Sequence, residues 1–331
     1  MDYWVLAFYC LVKVEDPRGE VVRHQEFFKG RDLMSRIYIS EQGINGQMSG
    51  RVDHAQEYMD WLQKEGRFGD VSFKKHLVKE HVFPKATVKY RRQLVAIDCE
   101  VDLSERGKPV SSGEWNQMLE ERDGDTIVLD VRNEYEWKVG HFEGAQLPEL
   151  ETFRQFPLYA KALKRKRDPK KTKVMMYCTG GIRCEFYSAL MKREGFEQVY
   201  QLDGGVIQYG LDEGQKHWKG KLFVFDDRLV VPISGEEAAP ISECVYCQAP
   251  LDVYYNCANM DCNALFVCCA DCVKKQKGCC SEGCYQEGRV RPIAEDANPK
   301  PFRKWDYHEK IKLKGLRSAA ESREEQPSAQ A

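Results

Sequence analysis

Tyr177-Cys178-Thr179-Gly180-Gly181-Ile182-Arg183-Cys184-Glu185 joins a short apolar run, Val174–Tyr177, to a stretch of helical pattern, Arg183–Glu194. A cysteine at a strand-to-helix junction sits where successive backbone N–H groups point inward, at the positive end of a helix dipole. Arg183 adds positive charge. Together these favour thiolate over thiol and cradle an anion beside the sulfur. The two glycines let the loop close tightly and bring backbone up to a ligand. Cys178 is therefore the expected nucleophile and Arg183 its cationic partner. Thr179, Gly180, Gly181, Ile182 and Cys184 complete the active-site loop. Cys184 falls on the first helical turn, as either a resolving thiol or packing.

The flanks of this loop repeat one pattern. Thr126–Val131 and Val199–Leu202 are short, mostly apolar runs like Val174–Tyr177. Glu134–Gly140, Thr152–Lys166 and Arg183–Glu194 read as helices between them. Short buried strands alternating with helices predict a parallel α/β sheet. A capping box, Ser111 with Glu114, opens this domain, with Trp115, Met118 and Leu119 on one helical face. The domain is expected over residues 111–220, after a polar linker at 98–110. Residues 1–97 carry a βαββαβ order and predict a ferredoxin-like, acylphosphatase-like α+β domain. Its expected elements are strands at Tyr3–Val14, Arg36–Glu41, Gln47–Gly50, Val71–Leu77 and Ala86–Ile97. A short helix is expected at Gln25–Arg36, a turn at Gly43-Ile44-Asn45-Gly46, and a second helix, capped by Asp53, running to Lys64. A Cys-rich module follows at 221–295, then a polar tail at 296–331 whose composition predicts disorder.

Ten of the 14 cysteines lie between Cys244 and Cys284. No apolar run approaches the ~20 residues that cross a bilayer. The apolar start, Tyr3–Val14, follows Asp2 and has no cationic leader, so it reads as a strand. The expected compartment is cytoplasmic, where disulfides rarely persist and cysteines serve as ligands, nucleophiles or filler. Cys10 and Cys99 fit filler. Cys244 and Cys247, Cys257 and Cys262, Cys269 and Cys272, and Cys280 and Cys284 form four close pairs without an accompanying histidine. Eight thiolates suit two structural zinc ions, each pair joining another, with interleaving as one option. Cys268 and Cys279 are left as alternates or packing. Metal binding would supply the folding free energy of a segment this poor in aliphatic residues. An iron–sulfur cluster is the alternative, which a colourless preparation would exclude.

A net charge of -2 excludes a uniformly basic nucleic-acid binder. Basic residues are nevertheless concentrated: residues 154–173 hold nine Lys or Arg against one acid, and residues 64–92 hold nine against three. Such patches suit the phosphates of a folded RNA. Phe68, Phe73, Phe83 and Tyr90 interleave the second patch, either as core or as stacking platforms for unpaired bases. His76, His81 and Glu80 lack the spacing of an iron triad, and His141 suits a turn. Neither a Walker loop nor a dinucleotide fingerprint is present.

Residues 111–220 resemble a rhodanese domain. The pieces that match are Leu129-Asp130-Val131-Arg132, Gly140-His141-Phe142-Glu143-Gly144-Ala145, the thiol loop, and Leu202-Asp203-Gly204-Gly205. The resemblance implies a persulfide-carrying Cys178, Arg183 closing the loop, and Asp130 and Arg132 shaping the far side of the pocket. With Glu41-Gln42-Gly43-Ile44-Asn45-Gly46 ahead and the Cys-rich segment behind, the layout resembles the tRNA uridine hydroxylase family over residues 1–290. That resemblance implies an oxidoreductase that installs 5-hydroxyuridine at the wobble position, with molecular oxygen as co-substrate and the tRNA anticodon loop as partner. Two roles for Cys178 follow: attack on C6 of uracil, or a persulfide that activates oxygen. A rhodanese-type sulfurtransferase, fed by a persulfide donor, and a non-catalytic zinc- and RNA-binding protein are the alternatives. No membrane partner is expected, and no pattern specifies an electron donor or an oligomeric state.

Overall fold

The computed structural model describes residues 2–64, 66–97, 99–150 and 153–293. These divide into two compact units, one comprising residues up to 253 with 267–269, the other residues 254–266 and 270 onward. The polar tail expected from residue 296 lies outside the described residues.

The N-terminal domain runs β1 (Tyr3–Leu11), α1 (Pro17–Phe28), β2 (Leu33–Ser40), β3 (Gly43–Arg51), α2 (Val52–Lys64), β4 (Ser72–Val78) and β5 (Ala86–Tyr90). The sheet order is β4-β1-β3-β2-β5. The first four strands pair antiparallel, and β5 adds to β2 in parallel. The expected ferredoxin-like βαββαβ order therefore stands, with a fifth strand at one edge. One sheet face buries Leu6, Phe8, Ile44 and Met48 with Ala55, Tyr58, Met59 and Leu62 of α2. Strand side chains alternate between faces, so Ala7, Tyr9, Asn45 and Gln47 point the other way.

Three local expectations are corrected here. The first helix is Pro17–Phe28, not Gln25–Arg36. Asp16 caps it by accepting the Gly19 N–H at 2.8 Å, and Pro17 occupies the first turn, where its missing N–H costs nothing. Gly43–Gly46 lies within β3, and the turn falls at Glu41-Gln42. Gly43 takes φ +133°, and a side chain there would run into the Cys10 carbonyl. The last strand stops at Tyr90 rather than continuing to Ile97.

The following domain contains β6 (Lys108–Val110), α3 (Ser112–Glu120), β7 (Thr126–Asp130), α4 (Glu134–Trp137), β8 (Gly140–Phe142), α5 (Phe156–Lys166), β9 (Lys173–Tyr177), α6 (Ile182–Arg193), β10 (Gln198–Leu202) and α7 (Gly205–Glu213). β6-β10-β9-β7 form a parallel sheet. Its edge strand β6 lies within the stretch read as linker. The capping box of Ser111 and Glu114 is present. Val174 and Met176 pack on one face with Phe156, Leu163, Tyr187 and Leu190, while Met175 and Tyr177 pack on the other with Trp115, Val206 and Tyr209. Helices thus cover both faces, which is why β9 reads as an unbroken apolar run. α7 was not expected from the sequence, and it matters for the site. β8 leaves the expected helix at Glu134–Gly140 only four residues long and pairs with Trp218–Gly220.

Farther on, Tyr254–Asn256 and Leu265–Val267 form a two-stranded sheet, with short helices at Ala270–Lys275 and Glu282–Gln286. Among the described residues, no helix is long and apolar enough to cross a membrane.

Candidate active site and metal centres

β9 ends at Tyr177 and delivers Cys178 to the floor of a cavity of about 400 Å³. The thiol is 1% exposed. Its sulfur accepts the Gly181 N–H at 3.1 Å, and Gly181 takes φ +103° to aim that group inward. Burial alone would push the thiol up. The Cys184 thiol, the Arg183 guanidinium and the N–H groups of Cys184 and Gly181 outweigh burial and pull Cys178 down to about 5. Cys184 moves the opposite way: burial and the neighbouring Cys178 hold it protonated, so it acts as a hydrogen-bond donor to the thiolate. The two loop cysteines therefore have different roles, and Cys184 is fully buried.

Arg183 is anchored by a residue that sequence reading missed. Glu136, on α4, accepts both guanidinium arms at 2.6 and 2.7 Å, and also the Thr179 hydroxyl at 2.8 Å. Burial would raise the Glu136 carboxyl, but the charge and hydrogen bonds of Arg183 hold it below its usual range. Glu136 is the third residue of a four-residue helix, and its one mark in the sequence is the capping box it makes with Asn133. Asp130 and Arg132 form a fully buried pair, with Asp130 taking the Arg132 Nε at 2.9 Å and Nη2 at 2.7 Å. Arg132 also donates to the Gly140 carbonyl and lies over the Tyr177 and Trp218 rings. This pair ties β7 to β8 and does not itself line the cavity.

Behind the loop, the first amides of α7 fasten its carbonyls: Val206 donates to Cys178 O and Ile207 to Thr179 O, each at 3.0 Å. Gly204 and Gly205 both have φ near +70°, and a side chain at Gly205 would overlap Cys178 O at 2.5 Å. With carbonyls held outward, the loop N–H groups are left facing the sulfur.

The cavity wall opposite Cys178 is the helix-free face of the N-terminal sheet. Ala7, Tyr9, Arg36, Tyr38, Asn45 and Gln47 line it. Tyr9 donates to Glu185 at 2.9 Å, fixing that wall against α6. Lys74, 5% exposed, reaches the Gly180 carbonyl at 3.3 Å. Burial lowers its ammonium, opposed by Asp203 and Cys178. Of the interleaved aromatics, Phe68 and Phe83 are core, Phe73 packs against the core, and Tyr90 bonds Glu41. His141 Nδ1 donates to the Trp137 carbonyl, 2.9 Å away. His81 is engaged by Ser49 and Asp32. The lysine run Lys164–Lys173 closes α5 and surrounds the turn after it, largely exposed.

The eight paired cysteines fall into two quartets, Cys244, Cys247, Cys269 and Cys272, and Cys257, Cys262, Cys280 and Cys284, with all sulfurs of a quartet within 4.8 Å. The first pair joins the third and the second joins the fourth, the interleaved option. Sulfur separations of 3.8 Å for Cys247–Cys269, 3.8 Å for Cys262–Cys280 and 3.7 Å for Cys280–Cys284 are too long for disulfides. They match the edge of about 3.8 Å of a tetrahedron built on Zn–S bonds of about 2.3 Å. Cys268 and Cys279 are fully buried and fall outside both quartets, with the Cys268 sulfur 3.9 Å from that of Cys244.

A parallel sheet whose strand β9 carries an acidified cysteine into a cradle of amides, with an arginine tied beside it, defines a rhodanese-class site. Family models agree: a rhodanese-like domain matches residues 112–210, a UPF0176 acylphosphatase-like domain 3–94, and a rhodanase C-terminal region 219–285. The chain is 54% identical over 305 residues to the tRNA uridine(34) hydroxylase of Chlamydia felis, covering 92% of this chain and 93% of that one. It is 54% identical to the protein of that name in Protochlamydia amoebophila, covering 94% and 97%, and 52% identical to that of Chlamydia trachomatis serovar D, covering 92% and 93%. The chain belongs to the tRNA uridine(34) hydroxylase family. A solved rhodanese-like domain from Anabaena is 20% identical over 34% of this chain and 78% of its own, with a TM-score of 0.28.

Proposed function

We propose that this chain is an oxidoreductase that hydroxylates C5 of uridine 34 in tRNA, with Cys178 as the reacting thiolate. The observation that carries this reading is the low-pKa Cys178 facing a cavity whose far wall comes from a second domain. A thiol that only passes sulfur between small donors needs no such wall. Family membership points the same way.

In this reading the Cys178 thiolate adds to C6 of uracil, and the C5=C6 π electrons move to make C5 nucleophilic. C5 then takes one oxygen atom from molecular oxygen. The other oxygen leaves as water, using two electrons and two protons from a reductant. Loss of the C5 hydrogen and of the thiolate restores the double bond. Arg183 and the loop amides stabilise the sulfur whenever it is anionic. Cys184 donates to the sulfur throughout, and Asp130 with Arg132 supports the floor.

The two cysteine quartets hold structural zinc and contribute folding free energy. The domains are assigned as 1–97, 111–220 and 221–295, with the edge strand β6 (Lys108–Val110) taken from the linker at 98–110 into the second of them. The cytoplasm, where tRNA is available, is the compartment of this reaction.

The test is mass spectrometry of nucleosides from tRNA incubated with the full chain, oxygen and a thiol reductant. Formation of 5-hydroxyuridine carrying label from ¹⁸O₂, lost in Cys178→Ser, is expected. Thiocyanate from thiosulfate and cyanide at a rate unaffected by tRNA, with no 5-hydroxyuridine, would replace the proposal with sulfur transfer.

A further inference from the structure

Strand register sorts the cavity wall into two rows. Asn45 of β3 lies between Tyr9 of β1 and Tyr38 of β2. Two residues along, Gln47 lies between Ala7 and Arg36, and Ala7 is in turn beside Lys74 of β4. Directly opposed side chains sit roughly 4.5–5.5 Å apart at Cβ. The wall is thus an aromatic–amide–aromatic row above an amide that has Arg36 on one side and, beyond Ala7, Lys74 on the other. Ile44 and Met48, the alternate residues of β3, are fully buried in the core. Asn45 and Gln47 are half-buried, and neither side-chain amide hydrogen-bonds another described residue. A half-enclosed polar group without a protein partner is costly unless a ligand or water completes it.

A cavity of about 400 Å³ lies within the size range of small-ligand sites. Enzymes that act on a base take it out of the stack and read its edge by hydrogen bonds between aromatic walls. The amide side chain carries both a donor and an acceptor, and so does the edge of a pyrimidine. An amide can turn to suit uracil or cytosine, so Asn45 and Gln47 alone would bind either. Arg36 differs: guanidinium only donates. Its Nη1 is fixed on the Phe225 carbonyl at 2.9 Å, which holds the side chain beside Gln47. A fixed donor suits the O4 carbonyl of uracil and opposes the N4 amino group of cytosine.

We propose that this sheet face is a binding site for one flipped-out pyrimidine, in which Asn45 and Gln47 grip the base edge and Arg36 selects uracil over cytosine. The proposal rests on the reading of the cavity as the tRNA site and adds the residues that decide which base enters. These are specificity-determining side chains; the chemistry stays with Cys178.

The experiment uses full-length protein carrying Cys178→Ser, so that binding is read without turnover, and anticodon stem–loop RNAs differing only in U34 or C34. Fluorescence anisotropy is expected to show U34 bound at least about 10-fold tighter than C34. Asn45→Ala and Gln47→Ala each weaken U34 binding about 3- to 10-fold, the cost of one or two lost hydrogen bonds. Arg36→Gln, able to donate or accept, brings the U34/C34 ratio close to one while Arg36→Lys retains part of it. In the Cys178 background the same substitutions are expected to raise KM for tRNA. Unchanged melting temperatures establish that the variants fold. Equal affinity of the parent for U34 and C34, or variants that keep its ratio and affinity, would overturn this proposal and leave the hydroxylation reading standing. Loss of U34 preference in the variants, with no 5-hydroxyuridine from the Cys178 protein, would support the pocket and overturn the hydroxylation reading instead.

Discussion

Cys178 and Cys257 are equally buried, at 1% and 0% exposure, yet their sulfurs have opposite surroundings. Cys178 has amide N–H groups, a protonated thiol and a tethered guanidinium around it, so one negative charge is welcome there. Cys257 has three other sulfurs within 4.8 Å. Four thiolates at that spacing repel one another unless a dication sits among them. Burial therefore does not decide what a cysteine does; the charge its neighbours invite decides it.

The strongest way to break this comparison is to exchange the sulfur. Cys178→Ser is expected to abolish 5-hydroxyuridine while leaving two zinc ions bound, as measured by nucleoside and elemental mass spectrometry. Cys257→Ser should do the reverse locally, removing one of the two ions while alkylation of Cys178 continues. Next in size is metal removal. Stripping zinc with a chelator should cost up to about 10 kcal/mol per site and expose the amides of residues 254–293 to hydrogen exchange. β9 and α6 should keep their protection.

Glu136→Ala probes the tether. It leaves the Arg183 guanidinium without its buried partner and should destabilise the protein by about 3–5 kcal/mol in urea unfolding. Recovery of most of that stability by Glu136→Ala with Arg183→Met would confirm the pair as the cause. The smallest effect sharpens the electrostatics. Alkylation of Cys178 should hold steady above neutral pH and fall as pH drops through about 5, because the reactive thiolate is protonated there. In Cys184→Ala the midpoint should rise by about 1 pH unit, the loss of one hydrogen bond to a charged group. A midpoint near the ordinary thiol value of about 8.5 in the unaltered protein would remove the contrast altogether.

The thiol loop, the parallel sheet and the eight ligand cysteines were legible because each leaves a local mark: an apolar run, two glycines, or paired cysteines. α1 was misplaced for a physical reason. Its buried stripe is Pro17, Glu20, His24 and Phe28. His24 Nδ1 donates to the Glu20 carbonyl at 2.9 Å and lies 3.2 Å from its carboxylate, with Arg67 reaching Glu20 at 3.1 Å, so the buried face carries no apolar rhythm. Glu136, Lys74 and the Asn45–Gln47 wall were missed because what makes them functional is a neighbour far away in sequence. Asn45 was visible as part of a Gly-Ile-Asn-Gly motif, and that motif looked like a turn because glycine favours turns. In β3 the small residues serve packing instead, since a side chain at Gly46 would strike the Phe8 ring.

The fastening of the thiol loop by α7 has a consequence for repeated turnover. A peptide plane that flipped at Cys178 or Thr179 would forfeit its bond to Val206 or Ile207 and drive a carbonyl toward the sulfur. The loop thus has one usable polarity, set when the chain folds and not when substrate arrives. As the sulfur alternates between free anion and covalent adduct, the surrounding dipoles need not turn to follow it. Reorganisation that solvent would demand in each cycle is met once, by Gly205 letting two backbones approach more closely than any side chain would permit.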